Sequence, residues 1–544
     1  SGRIGIRTGR WTLTASGSGS FTPVAESRFT ETREQAGQPL PFAGRSDSKS
    51  RTNYGRGHFS AVFDPTPKHT AGFDIEYTER STHMPTLSRT TLGQTQSDSR
   101  YRQHMDGNTL TATANYIWKI DTLGSQFKLI ADYTRYTSDG DNSYHTTTCA
   151  PGTLRDSLYE SATGSVYDIL TADAGLTRKL PHGLTLRAGL RYTRNDMADK
   201  SRYAAQTQGT WLALPEYSYD QHYTEQIGAA YASLEYSAGR WELSAGLRGE
   251  YTSVASQAFG RSYFGLFPNV SVSRALNALR TWLLVAQWSR NIERPAFPAL
   301  NPARIRISDY SWQSGNPSLR PTYIHRFSLT AVWKYRYTLT VGGNLHHDLI
   351  REIAHRDATA PDAVYIRPEN HYTENHWFVA ASVPAKITRW WNLSVNAVGV
   401  MQRIRLNSTD SPATHYLMFA DATCSFTLPA GFFAEAAYRA QSRLYSGNSE
   451  VGPRHTLSAT VKKQLFDKRL TLFCTLSNIT GCDWEFASLT DGMRRTIDTR
   501  QAWSGRLWKV DAAWNFRTGK KFRARTVESA AETQRKRLVK STEQ

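Results

Sequence analysis

Residues 229–252 read AAYASLEYSAGRWELSAGLRGEYT. Ala230, Ala232, Leu234 and Tyr236 alternate with polar or small neighbours up to a turn at 237–240. Trp241, Leu243, Ala245, Leu247 and Tyr251 then carry an apolar row back, with Glu242, Ser244, Arg248 and Glu250 on the other face. A period of two places alternate side chains on opposite faces of a strand. Two such runs around a four-residue polar turn read as a β-hairpin with one greasy and one charged face. That polarity suits a wall between lipid and a polar lumen.

The same grammar extends in both directions. Leu110, Ala112, Ala114, Tyr116, Trp118 and Ile120 oppose Thr111, Thr113, Asn115 and Lys119, and a turn at 121–125 leads into Phe127, Leu129, Ala131 and Tyr133. Leu170, Ala172, Ala174 and Leu176 pair in pattern with Leu184, Leu186, Ala188, Leu190 and Tyr192. The alternation predicts that Trp118, Leu129, Leu186, Leu243 and Trp514 face outward, and that Lys119, Arg187, Arg248 and Lys509 face the lumen.

Connection lengths alternate as well. Short turns fall near 8–10, 64–69, 121–125, 178–183, 237–240, 277–280, 334–336, 387–389, 429–431 and 466–468. Long polar segments lie between them, at 21–52, 80–108, 138–164, 194–223, 292–320 and 351–371. Outer-membrane barrels have short periplasmic turns and long outer loops, whereas a soluble sandwich rarely places so many long loops on one side. Trp11, Trp118, Trp241, Trp391 and Phe432 sit beside the short turns, where an interfacial girdle belongs.

The fold class expected is therefore all-β: a transmembrane antiparallel barrel of about 22 strands. About 21 are expected in this chain, since residues 2–8 and 503–516 both run toward the short-turn side. Antiparallel closure needs an even number, so an upward strand and a plug are expected before Ser1. Residues 2–8 and 503–516 should flank a seam one strand wide. Residues 1–516 form the barrel; 517–544, polar and basic, form a periplasmic C-terminal tail.

Composition agrees. The 544 residues are 39% apolar with a mean hydropathy of −0.53, and no run approaches the roughly 18–20 apolar residues of a membrane helix. A barrel strand shows lipid only every second side chain, so low hydropathy does not exclude a membrane. The net charge of +19 is spread over many segments, with one dense cluster in the tail. A nucleic-acid groove wants a concentrated patch, so lipopolysaccharide phosphates or an anionic ligand are the better partners. The four cysteines, at 149, 424, 474 and 482, form no CxxC pair and no zinc spacing. Cys424 and Cys474 lie on strands separated by two others, too far apart to bridge.

Residues 263–335 go beyond architecture. They contain YFGLFPNVSVSRAL, LLVAQWSRNIERPAFPALNP and GNPSLRPTYIHRFSLTAVWKY. This resembles the outer-membrane β-barrel family of TonB-dependent receptors common in Bacteroidetes, with a pattern near LFPS…S, YSRRI-RP…LNP and GNP-L-PE. SGRIGIRTGRWTLTASGSGS at the start, residues 229–252, and NFRTGKKFRARTVESAAETQRKRL at the end resemble it too, so the likeness covers most of the chain. Thr322 departs from the pattern, where the family has Glu. The resemblance implies an outer-membrane receptor of a Gram-negative bacterium. It would import a siderophore, metal complex, glycan or peptide, with energy from the TonB complex through a plug. A plugless channel, an export or assembly barrel, and a membrane-embedded surface enzyme are the alternatives.

No GxSxG elbow or HExxH helix is present, so neither catalytic residues nor a cofactor are expected. His346, His347 and Asp348 are adjacent on a strand, point to opposite faces, and read as a lumen or loop-base polar cluster rather than a metal site. The GNP turn (Gly315, Asn316, Pro317, Leu319, Pro321) is expected to set strand register, with Gly315 free to take φ > 0 and the prolines fixing the backbone. Ligand contact is expected from Arg304, Arg306, Asp309, Tyr310 and Trp312 in the preceding loop, the competing reading being that they pack on neighbouring loops or bind lipopolysaccharide.

Overall fold

The computed structural model describes residues 2–35, 37–257, 259–358, 360, 362–481, 483–501, 505–514 and 527–538. Among them, twenty-one strands form one antiparallel meander from Gly2–Thr8 to Leu507–Trp514, and eight further strands pair in the loops. Each wall strand bonds to the next along the chain, as in the ladder Ala238↔Trp241 to Tyr223↔Ser256. All ten short turns lie where the alternation puts them, for example between Lys179 and Leu184 and between Leu428 and Phe432. Lys334 and Tyr335 turn with φ of 52° and 54° and no glycine to ease them.

The face assignment holds. Trp118, Leu129, Leu186, Leu243 and Trp514 are 37–54% exposed on the outer face. On the opposite face Arg187 binds Glu235 at 2.9 Å, Arg248 binds Glu250 at 2.5 Å and Lys509 binds Asp511 at 3.1 Å. Lys119 reaches the Pro67 carbonyl in the neighbouring turn. Lumen-facing Thr113 donates to Asp132 at 2.5 Å, and Arg191 pairs with Asp173 at 2.8 Å. Inner polar groups thus bond one another across the ladder, while outer apolar groups meet lipid. Trp11, Trp241 and Phe432 are 40–44% exposed beside their turns. Cys149, Cys424 and Cys474 are free thiols; Cys482 and Phe516 lie outside the described residues.

Two expectations are revised. Segments 80–108 and 138–164 are not irregular loops. The strands His69–Leu92, Thr95–Lys119, Gln126–Ala150 and Thr153–Lys179 run through them to tight turns at Gly93 and Gly152. At roughly 3.3 Å per residue these strands far exceed the 9–11 residues that a tilted strand needs to span a membrane. Their polar ends are zipped by hydroxyl pairs such as Ser48–Thr86 at 2.8 Å and Ser99–Thr146 at 2.9 Å. The second revision concerns the tail. Residues 527–538 do not hang below the wall but touch its inner face, with Lys128–Glu528 at 2.6 Å low in the barrel and Arg537–Glu225 at 2.5 Å higher up, level with Thr134. Charge compensation of Glu225 accounts for the placement.

Among the described residues no ladder joins the first and last wall strands. Gly2–Thr8 pairs only with Trp11–Phe21, and Leu507–Trp514 only with Leu470–Ser477, among the described residues. Both edge strands run toward the short turns and are therefore parallel to each other. Above these two strands the loops meet. Ala25–Gln35 pairs with Met493–Gln501 from Ser27↔Gln501 to Gln35↔Met493.

Candidate functional site in the barrel lumen

The connection 294–321, between the strands Trp282–Glu293 and Thr322–Trp333, folds inward. Phe297, Leu300 and Leu319 are at most 3% exposed and cluster with Tyr167, Ile169, Met197, Tyr223 and Val254. Those five wall residues lie on the face opposite the lipid-facing rows, so this apolar core is inside the barrel. Burying one such side chain stabilises the loop by about 1.5–3 kcal/mol, which is why a nominally polar connection collapses there.

The GNP turn locks the loop. Gly315 N–H donates to the Asn301 carbonyl at 2.9 Å and Asn316 N–H to the Ala299 carbonyl at 2.7 Å. A Cβ on Gly315 would meet Asn301 O at 2.1 Å. Glycine is therefore required by close backbone approach; Gly315 is not among the residues of positive φ, which corrects the reason given by its sequence context. Asn316 Nδ2 donates to the Pro368 carbonyl at 3.0 Å, Arg261 holds the Leu319 carbonyl, and Pro321 is buried before Thr322. Thr322 donates its hydroxyl to the Asp348 carbonyl at 3.0 Å. Asp348 has φ 57° and pairs with Arg320 at 2.6 Å, so it belongs to the loop base as expected.

The five loop residues proposed for ligand contact divide into two groups. Asp309, 8% exposed, accepts from Ser99 (2.5 Å), Tyr101 (3.0 Å), Thr146 (3.2 Å) and Arg306 (2.6 Å). Burial disfavours the Arg306 charge, yet the Asp309 carboxylate more than offsets it and holds the guanidinium above its ordinary pKa. Tyr310 packs edge-on against Phe42, and its carbonyl accepts from Arg33 and from Val364 N–H. These three residues anchor the loop to the walls. Arg304 and Trp312 form the open group: the guanidinium lies 4.5 Å from the Trp312 ring and 5.0 Å from the Tyr217 ring, and its side chain is 38% exposed. Asp357 stands 3.5 Å away. A cation stacked between two rings suits a planar or anionic ligand group.

Two buried clusters are absent from the sequence reading. Glu374, 0% exposed, binds Arg351 at 2.9 Å and His376 at 2.8 Å and accepts from Gln402 Nε2 at 2.8 Å. Glu31 binds Arg33 and Arg495, each at 2.8 Å, and Arg495 donates to Ser311 at 3.0 Å. Charged residues within YTENH and TETRE carry no motif, so only their inward parity could have flagged them. Among the described residues no group of three or more His, Cys, Asp or Glu is arranged for a metal.

The family model described as "Outer membrane protein beta-barrel family" matches residues 118–514. No curated protein matches the chain. Among solved structures, the copper transporter OprC aligns with a TM-score of 0.53 at 10% identity, covering 90% of this chain and 85% of that one. The ferric-catecholate import receptor Fiu from K12 E. coli, in its closed form, aligns with a TM-score of 0.51 at 8% identity over 88% and 82%. These likenesses establish a shared fold. With the polarity of its wall and the family match over most of its length, the chain belongs to the outer-membrane β-barrel family and resides in the outer membrane of a Gram-negative bacterium.

Proposed function

We propose that this barrel is the wall of a receptor for TonB-dependent uptake of a scarce ligand: a siderophore, metal complex, glycan or peptide. The observation that carries the reading is the inward-folded loop with Arg304 stacked between Tyr217 and Trp312 above a polar lumen. A wall of this strand number encloses more space than its own side chains fill, so the loop core and a plug have room inside. In this reading Arg304 and Trp312 touch the ligand, and Arg306, Asp309 and Tyr310 hold them in place. Lipid and lipopolysaccharide surround the apolar belt, and the TonB complex supplies energy through a plug.

The test is growth of a deletion strain complemented with the wild type or with Arg304→Ala/Trp312→Ala. Growth is compared under iron chelation with ferric siderophores, under copper chelation, and on oligosaccharide or peptide as sole nutrient. The reading expects one condition to depend on the wild type, to fail with the double variant, and to collapse on adding a protonophore. Solute entry indifferent to both the variant and the protonophore would mark an open channel and overturn it.

A further inference from the structure

The lumen contains, level with Thr134, a built site for a guanidinium, and a segment of this chain occupies it. Glu225 and Glu250 point inward from adjacent strands and are 2% and 7% exposed. Arg294 bonds Glu250 at 2.6 Å and Thr252 at 2.9 Å, but stays 3.8 Å from Glu225. The remaining side-chain donor on the Glu225 carboxylate from the wall is Asn195, at 2.8 Å. Arg537 completes the set: it binds Glu225 at 2.5 Å and Gln534 at 2.8 Å, and donates to the Pro295 carbonyl at 3.0 Å. Its guanidinium lies 4.3 Å from the centroid of the Phe297 ring, and Leu538 joins the apolar core under the loop.

The approach to this site is also specified. Glu528 pairs with Lys128 at 2.6 Å, two residues above a periplasmic turn, and Ala530 N–H donates to Asp132 at 2.7 Å. The turn Glu532–Arg535 follows, with Gln534 beside Asn195 at 3.4 Å. By ladder register Lys128 lies level with Tyr231, six residues below Glu225, so the segment climbs roughly 20 Å of strand before Gln534 and Arg537 meet the neighbouring residues Asn195 and Glu225. A buried carboxylate with a single amide donor is costly, and the Arg537 guanidinium supplies the charged donor that Glu225 otherwise lacks.

We propose that residues 527–538 are a lumenal ligand of their own barrel. Arg537 fills the Glu225 socket, and the Pro295 and Phe297 contacts brace loop 294–321 in its folded position. The tail therefore couples the periplasmic side of the barrel to the ligand loop: withdrawing Arg537 releases the loop's lower face.

The test uses the full chain in native outer membranes, with the four cysteines replaced by serine. Lys128→Cys with Glu528→Cys should form an oxidative cross-link, visible as altered electrophoretic mobility, at a yield matching a wall-to-wall control pair. In the purified barrel, Arg537→Glu should speed amide hydrogen exchange of both 527–538 and 294–321 by about tenfold or more, as expected for a buried charge pair lost. Glu225→Arg combined with Arg537→Glu should restore exchange to within about twofold, while heat-modifiable migration stays unchanged throughout. No cross-link alongside a working control overturns the proposal. So does exchange that the charge reversal leaves unaltered, as when another segment fills the socket.

Discussion

Along the strand Gln126–Ala150 the outward side chains are Phe127, Leu129, Ala131 and Tyr133 near the turn, then Arg135, Thr137, Asp139 and Asp141 above. The inward side chains change in the opposite sense. Asp132 and Thr134 line the lower lumen, whereas Tyr144 is 3% exposed and packs on Tyr101 at 5.4 Å higher up. The neighbouring strand repeats this, with Asp173 low and Tyr167 high, the latter against Phe297. One continuous ladder is thus apolar outside and polar inside below, and polar outside with buried rings inside above. The lesson is that the solvent on each side, and not the backbone, decides which face carries the apolar residues.

The contrast can be broken at several points. Tyr167→Ala in the upper, inward-facing core should cost the most, roughly 3–5 kcal/mol for a buried aromatic ring, read by urea unfolding in lipid vesicles. A cost below about 1 kcal/mol would mean that the upper half has no inner core. Leu129→Arg, on the lipid face, should cost about 2–4 kcal/mol and depress folded yield, while Asp141→Arg on the same strand stays within about 0.5 kcal/mol. Equal effects at the two positions would erase the boundary. Arg306→Ala should act locally: losing this partner of Asp309 costs about 1–3 kcal/mol, seen as faster proteolysis of 294–321 with the wall unfolding unchanged. Smallest of all, a short epitope inserted after Gly152 should leave stability within about 0.5 kcal/mol, because that turn is a protruding tip.

How far the sequence was legible follows the same division. In the lower half, rows such as Trp241, Leu243, Ala245 and Leu247 alternate against charged partners, and all ten turns and the face of each tested residue could be read from them. In the upper half, Asp139 to Thr148 alternate polar with polar, so period two leaves no hydropathy trace and the ladders pass for loops. The GNP motif marked the register point, but its close approach to Asn301 is a tertiary contact that no local pattern records. Of the proposed ligand residues, Arg306 and Asp309 were recognisable as charged, whereas their mutual pairing depends on Ser99, Tyr101 and Thr146 from distant strands. The Glu225 socket was missed for the same reason: its partner Arg537 lies 312 residues away.

The boundary itself can be measured by placing a single nitroxide label in turn at 129, 131, 133, 135, 137 and 139, in a cysteine-free chain in bilayers. Collision with oxygen is then compared with collision with a water-soluble nickel complex at each site. The account predicts oxygen-dominated labels at 129, 131 and 133, and nickel-dominated labels from 135 upward. Nickel dominance at 129 and 131, or oxygen dominance continuing through 139, would contradict a membrane rim between Tyr133 and Arg135.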